Sequence, residues 1–188
     1  MKLQDIGFYT LEDKRAEQVS LQSPLWRCEL LLTDKCNFSC PYCRGSNQYT
    51  KGTLSFDEAK HIVDLWASHN LKNIRFSGGE PTVVPYLLDL VKYTKNKGIE
   101  RIAISSNGSA KTELYQELCD TGVNDFSISL DACCASTGDM MAGNIPNVWQ
   151  KVVNNIKELS KRTYVTVGVV LTDDNFEDLP KGMLNGLQ

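Results

Sequence analysis

Between residues 27 and 171 the chain alternates short apolar runs with amphipathic stretches, and few folds are open to a chain patterned this way. The apolar runs fall at residues 27–33, 73–77, 101–105, 125–130 and 164–171, and read as strands. Helices are predicted from Ser55 onward, then over residues 86–97, 112–121 and 147–161, with a last short helix starting near Asn175. Ser55 stands three residues before Glu58, a capping-box pattern, and Ile62, Leu65 and Trp66 follow at helical spacing. Gly98 and Gly122 mark two helix ends. Each helix returns the chain to the same end of the sheet, so five units in series predict an α/β fold with parallel strands. The near-continuous apolar strands predict burial on both sheet faces. Each polar or glycine motif directly follows a strand, which gathers the motifs at the C-terminal rim, where parallel βα folds carry their active sites.

A chain of 188 residues is long enough to bury a sizeable core, and 41% hydrophobic with 23% charged residues is ordinary for a globular protein. Residues 1–25 are mixed and polar and read as an N-terminal extension; residues 26–188 read as one domain, with no linker, repeat or low-complexity segment inside. The net charge of −3 and the absence of a basic stripe argue against a general nucleic-acid binder. Residues 1–13 lack the apolar segment of a secretory signal, and no run approaches the roughly 18 apolar residues of a membrane span. These features predict a cytoplasmic protein with no membrane partner.

Three of the seven cysteines fall within eight residues, in Cys36-Asn37-Phe38-Ser39-Cys40-Pro41-Tyr42-Cys43. In a chain with no export signal such a cluster reads as metal binding sooner than as disulfides. Three thiolates on one tight loop suit three irons of a cubane and leave the fourth iron without a protein ligand, the open position that a catalytic metal needs. A zinc site is the other reading of the spacing. It would want a fourth ligand, and Cys119 and the adjacent Cys133 and Cys134 do not supply a second C-x2-C; His61 and His69 lie on the first predicted helix, about two turns apart.

The C-x3-C-x2-C loop, with the aromatic Tyr42 before its third cysteine, resembles the cluster loop of the radical S-adenosylmethionine (radical SAM) superfamily. The stretch Leu-Leu-Thr-Asp-Lys-Cys-Asn-Phe-Ser-Cys-Pro-Tyr-Cys is similar to the branch that contains the GTP cyclase of molybdenum-cofactor biosynthesis and many peptide-modifying enzymes. Three more motifs match in order: Ser77-Gly78-Gly79-Glu80-Pro81, Ser105-Ser106-Asn107-Gly108 and Ser129-Leu130-Asp131. The resemblance covers about residues 26–175 and implies a partial (β/α) TIM-like barrel. The family usually has six βα units; five are visible here, so the expected barrel is truncated by one unit.

The resemblance further implies a [4Fe–4S] cluster on Cys36, Cys40 and Cys43, and S-adenosyl-L-methionine (SAM) held by Tyr42, Gly78, Gly79, Glu80, Ser106, Asn107 and Ser129. Gly78, Gly79 and Glu80 match the positions that hold the SAM amino group, and backbone carbonyls with a carboxylate suit an ammonium because it has donors only. Paired glycines let backbone approach a ligand closely. Tyr42 matches an adenine contact made largely through backbone, and Ser106, Asn107 and Ser129 match ribose and carboxylate contacts. The implied activity is reductive cleavage of SAM to a 5′-deoxyadenosyl radical that abstracts hydrogen from a nucleotide, cofactor precursor or peptide. The implied electron donor is a flavodoxin or ferredoxin. Activases of glycyl-radical enzymes share the loop and the Gly-Gly-Glu-Pro motif, although the Thr-Asp-Lys-Cys-Asn lead-in favours the first branch. A cysteine-bound zinc or interaction module is the non-catalytic alternative.

Other residues take plainer readings. Cys28 and Cys119 read as packed against the core. Cys133 and Cys134, on the loop after the fourth strand, are candidates to touch a substrate or a second cluster. Arg44 and Arg75 flank the motifs; Arg75 resembles a substrate contact of the cyclase, or else is a solvated charge at a strand end. Asp131 reads as a cap ahead of a ligand, and Asp173-Asp174 as a solvated loop.

Overall fold

A computed structural model describes residues 26–43, 52–173, 175 and 176. The predicted extension over residues 1–25, Arg44, Asp174 and any helix beyond Phe176 lie outside the described residues. In chain order the elements are β1 (Arg27–Leu31), α1 (Phe56–Ser68), β2 (Asn73–Ser77), a single 3-10 turn (Pro81–Val83), α2 (Leu87–Asn96), β3 (Arg101–Ser106), α3 (Thr112–Thr121), β4 (Asp125–Ser129), α4 (Ala135–Met141), α5 (Val148–Ser160) and β5 (Tyr164–Gly168).

The capping box forms as the sequence predicts. Ser55 Oγ accepts the Glu58 N–H at 3.2 Å, and Glu58 Oε2 accepts the Ser55 N–H at 2.7 Å. Such a cap stabilises a helix start by about 1 kcal/mol. It fixes where the chain re-enters regular structure after the cysteine loop.

All four strand pairs are parallel and the sheet order is β1-β2-β3-β4-β5. Every crossover therefore advances in the same direction, the progression of a barrel, with no reversal of the kind that makes a doubly wound sheet. Leu30, Phe76, Ile104, Phe126 and Val165 share one register row. They pack with Val63, Leu87, Leu90, Tyr115, Leu118, Val152 and Ile156 from the helices. A buried side chain of this size contributes roughly 1.5–3 kcal/mol by leaving water.

The expectation of apolar burial on both faces holds for one face only. The adjacent register row is Glu29, Arg75, Ala103, Asp125 and Tyr164, followed by Ser105, Ser127 and Thr166. Side chains alternate across a strand, so this polar row points away from the helices. Asp125 is buried there, accepting from Arg101 Nε at 3.0 Å, with Arg75 Nη2 at 3.8 Å. Burial pushes its carboxyl up while the two guanidinium groups pull it down.

Two boundaries differ from the pattern, each for a tertiary reason. β5 stops at Gly168 instead of residue 171, because Asp131 Oδ1 takes the Val170 N–H at 2.6 Å and draws the chain out of the ladder. The sequence pattern also gives no sign of α4. Its Ala-Ser-Thr-Gly-Asp-Met-Met has little helix propensity. Asp139 holds it against α5 by accepting the N–H groups of Asn147 at 2.6 Å and Trp149 at 2.9 Å. Gly138 leaves room for the indole, since a Cβ there would lie 2.2 Å from Trp149 Cδ1. Among the described residues, no helix is long and apolar enough to cross a membrane.

Candidate functional site at the C-terminal rim

The cysteine loop leaves the C-terminal end of β1 and is tied at both ends. Thr33 and Thr53 form an antiparallel bridge, their hydroxyls 2.7 Å apart, and Leu54 N–H donates to Leu32 O at 2.9 Å. Within the loop the Cys43 N–H turns back to Cys40 O at 3.0 Å. The Ser39 N–H reaches Ala142 O at 3.0 Å, so the loop also rests on the end of α4. Cys36 and Cys43 are exposed, Cys40 is half-buried, and no described cysteine is in a disulfide. Burial pushes the Cys36 and Cys40 thiols up. Among the described residues no three Cys, His, Asp or Glu side chains converge as a metal-ligand group. The loop offers three uncrosslinked thiols as a set.

The Gly-Gly-Glu stretch after β2 packs directly on this loop. Gly79 N–H donates to Thr33 O at 2.7 Å, and Glu80 N–H to Lys35 O at 2.8 Å. A Cβ on Gly78 would sit 2.4 Å from Thr33 O, and one on Gly79 2.3 Å from Lys35 O. Gly78 also has a φ of +151°. In this structure the close approach that demands glycine is therefore to the backbone of the cysteine loop.

Glu80 is fully buried, and its carboxylate is surrounded by donors. Oε1 accepts from Thr82 N at 3.0 Å, Thr82 Oγ1 at 2.6 Å and Ser106 Oγ at 2.9 Å, and Oε2 accepts the Asn107 N–H at 2.6 Å. Ser106 in turn accepts from Tyr115 OH at 2.8 Å and from Gly108 N at 3.0 Å. Burial raises the Glu80 pKa, and the Asn107 and Thr82 donors oppose it. The side chain ties the end of β3 to the end of β2.

Asn107 carries the network on to the cysteines. Its Nδ2 donates to Asn37 Oδ1 at 2.8 Å and lies 3.8 Å from Cys36 Sγ. Its Oδ1 accepts from Ser109 N at 3.0 Å and Ser109 Oγ at 2.7 Å, while Asn37 Nδ2 donates to Ser109 Oγ at 2.8 Å. Cys36 Sγ also receives the Phe38 N–H at 3.4 Å. Cys36, Gly78, Gly79, Glu80, Ser106 and Asn107 thus belong to one connected assembly. Asn37, Ser109, Thr82 and Tyr115 belong to it too, and sequence reasoning did not single them out. A short polar residue directly after the first cysteine was the available signal for Asn37.

Tyr42 lies on a second thread. Its OH donates to Asp131 Oδ2 at 2.5 Å, and burial together with that carboxylate raises the phenol pKa. Asp131 binds the chain after β5 as well, so it acts as a loop cap. Ser129 is exposed at the end of β4, opposite Gly168, outside the Glu80–Asn107 assembly. Arg75 is no solvated charge: its side chain is 13% exposed, and Nη1 donates to Ser105 Oγ at 3.1 Å. Cys28 and Cys119 are half-buried against the core.

A sequential parallel βα sheet with a three-cysteine loop bound into its C-terminal rim defines a partial-barrel protein. The family model described as the Radical SAM superfamily matches residues 30–181, and the chain belongs to that superfamily. Among curated proteins it is 31% identical over 154 residues to an AdoMet-dependent heme synthase of Methanosarcina barkeri, covering 80% of this chain and 44% of the relative. It is 35% identical over 121 residues to a GTP 3′,8-cyclase of Staphylococcus aureus, covering 60% of this chain and 36% of the relative. The chain thus spans less than half the length of these relatives. Among solved structures, Streptococcus suis SuiB bound to its precursor peptide SuiA superposes with a TM-score of 0.71 at 16% identity, over 88% of this chain and 37% of that one. The enzyme anSMEcpe with bound AdoMet gives 0.71 at 16% identity, over 86% and 48%. These structural likenesses establish the fold, a partial TIM-like barrel of five parallel strands alternating with helices.

Proposed function

We propose that this chain is the catalytic core of a radical SAM enzyme. Cys36, Cys40 and Cys43 would hold a [4Fe–4S] cluster, and Tyr42, Gly78, Gly79, Glu80, Ser106, Asn107 and Ser129 would receive SAM. The donor set fits the cluster: three soft thiols on one short loop, none crosslinked, with two backbone or amide N–H groups directed at Cys36 Sγ. Held there, the cluster and SAM would supply one-electron chemistry that yields a 5′-deoxyadenosyl radical for hydrogen abstraction.

The observation that carries this reading is the junction of the motifs: the cysteine loop, the Gly-Gly-Glu stretch and Asn107 are hydrogen-bonded into one rim. Gly78 and Gly79 hold backbone against the loop, so their carbonyls would meet the SAM ammonium beside the cysteines. Glu80 has its carboxylate oxygens committed to Thr82, Ser106 and Asn107, so it would act foremost by fixing that backbone. Asn37 and Asn107 would orient Cys36. The substrate would be a nucleotide, cofactor precursor or peptide, in keeping with the activities named for the relatives, and a flavodoxin or ferredoxin would supply the electron.

The test is anaerobic reconstitution with analysis of iron, sulfide and zinc, followed by dithionite, SAM and an assay for 5′-deoxyadenosine. About four irons per chain and 5′-deoxyadenosine formed would support the proposal. Zinc without iron and no cleavage would move the chain to the binding-module reading. Cleavage that persisted in the C36A/C40A/C43A variant would overturn the assignment of those residues.

A further inference from the structure

Cys133 and Cys134 stand outside the Glu80–Asn107 assembly. They are adjacent on the loop joining β4 to α4, half-buried, and neither is in a disulfide. Their sulfurs lie 3.2 Å apart, Cys133 donating to Cys134. Ser136 Oγ at 3.4 Å and Thr137 Oγ1 at 3.5 Å also face the Cys134 sulfur. Those neighbours pull the Cys134 thiol down to about 6. One sulfur is therefore anionic at neutral pH, with a second beside it.

Two adjacent sulfurs invite a disulfide, but the backbone opposes it. Consecutive Cα atoms are about 3.8 Å apart, whereas disulfides span about 4.4–6.8 Å. A single atom placed between the sulfurs lengthens the link by one bond and removes that conflict. We propose that Cys133 and Cys134 form a chelating site for a soft, thiophilic centre that takes two thiolates, of which monosubstituted trivalent arsenic is the simplest. With phenylarsine oxide the reaction balances without a redox partner. Two arsenic–sulfur bonds form, the arsenic–oxygen bond breaks, and the oxygen leaves as water with the Cys133 thiol proton and one proton taken up from solvent. Arsenic remains trivalent. This site does not depend on the cluster or SAM reading.

The experiment uses the cluster-loaded chain with phenylarsine oxide, read by native mass spectrometry. One phenylarsenic unit per chain is expected. The C133S and C134S variants should each bind about a hundredfold more weakly, because the second thiol no longer acts at high effective concentration. C28S and C119S should bind as the unmutated chain does. A reading free of mutants comes from iodoacetamide labelling and peptide mapping of the unmutated chain. Loading with the arsenical should block alkylation at both Cys133 and Cys134. No adduct, an adduct mapped to the cluster cysteines, or undiminished binding in C133S or C134S would each overturn the proposal.

Discussion

The Glu80 carboxylate accepts the backbone N–H of Asn107 at 2.6 Å, and with the Ser106 hydroxyl on its other oxygen at 2.9 Å this bond locks the Gly-Gly-Glu stretch after β2 to the Ser-Asn-Gly stretch after β3. Glu80 is fully buried, so its removal strands the Asn107, Thr82 and Ser106 donors in the interior. Each stranded donor costs about 1–3 kcal/mol. Glu80→Ala should destabilise the apo-protein by about 3 kcal/mol or more in urea denaturation, and Glu80→Gln by less, since its amide oxygen still accepts. Equal stability of Glu80→Ala and the unmutated chain would show that the network is not formed in solution.

Gly79→Ala tests the backbone contact. The added Cβ would meet Lys35 O at 2.3 Å and Asp34 O at 2.6 Å, both of them backbone atoms that cannot rotate aside. Overpacking of this kind costs about 1–3 kcal/mol. The variant should melt lower than the unmutated chain, and iron bound after reconstitution should fall with it. Gly98→Ala is the control for bound iron: its φ of +82° strains any side chain, so this variant should also melt lower, by about 1 kcal/mol, but no atom lies within 4 Å of the new Cβ and iron bound after reconstitution should not fall.

Asn107→Asp separates the two ends of one side chain. The remaining oxygens still accept from Ser109, while the donor to Asn37 and Cys36 is lost. Stability should fall by about 1 kcal/mol. An N–H directed at a cluster sulfur raises a cluster's reduction potential, so potentiometric titration should give a lower potential than in the unmutated protein. An unchanged potential would mean that Asn107 only positions Asn37.

The pH dependence of thiol labelling follows from Cys134. An ordinary thiol titrates near 9.0, and this one is pulled down to about 6, chiefly by its hydrogen bond with Ser136. Because the pKa is lowered, the thiolate is present above it and disappears as the pH falls through it. Iodoacetamide labelling of Cys134 should rise with a midpoint near pH 6 and level off by neutral pH. The cysteines whose pKa is raised by burial, Cys28 and Cys119, should label only at alkaline pH. Mass mapping across the pH series reads both.

Asp139→Ala should release the first turn of α5. Both carboxylate oxygens serve backbone donors there, at 2.6 and 2.9 Å. A lost N-terminal cap costs about 0.5–2 kcal/mol, and thermal melting should report it. Amide exchange should quicken first in α4, which has no other strong local reason to be helical.

Five strands, their parallel direction and the position of every motif after a strand were legible in the sequence, because hydrophobic periodicity and glycine stops are local properties. So was the capping box of α1, whose Ser55 and Glu58 sit three residues apart. The cysteine loop and its place after β1 were legible from spacing and residue type alone. What those cysteines are joined to was not. Asn107 and Cys36 are 71 residues apart, and Tyr42 and Asp131 are 89 apart. No local pattern encodes contacts at that separation. Only the sheet order, which sets β1, β2 and β3 side by side, brings Cys36, Glu80 and Asn107 to one rim. Tertiary structure likewise decided that α4 is a helix, that Asp131 ends β5, and that Arg75 pairs with Asp125 instead of facing solvent. In each case a hydrogen bond or ion pair from a distant element outweighed a weak local preference.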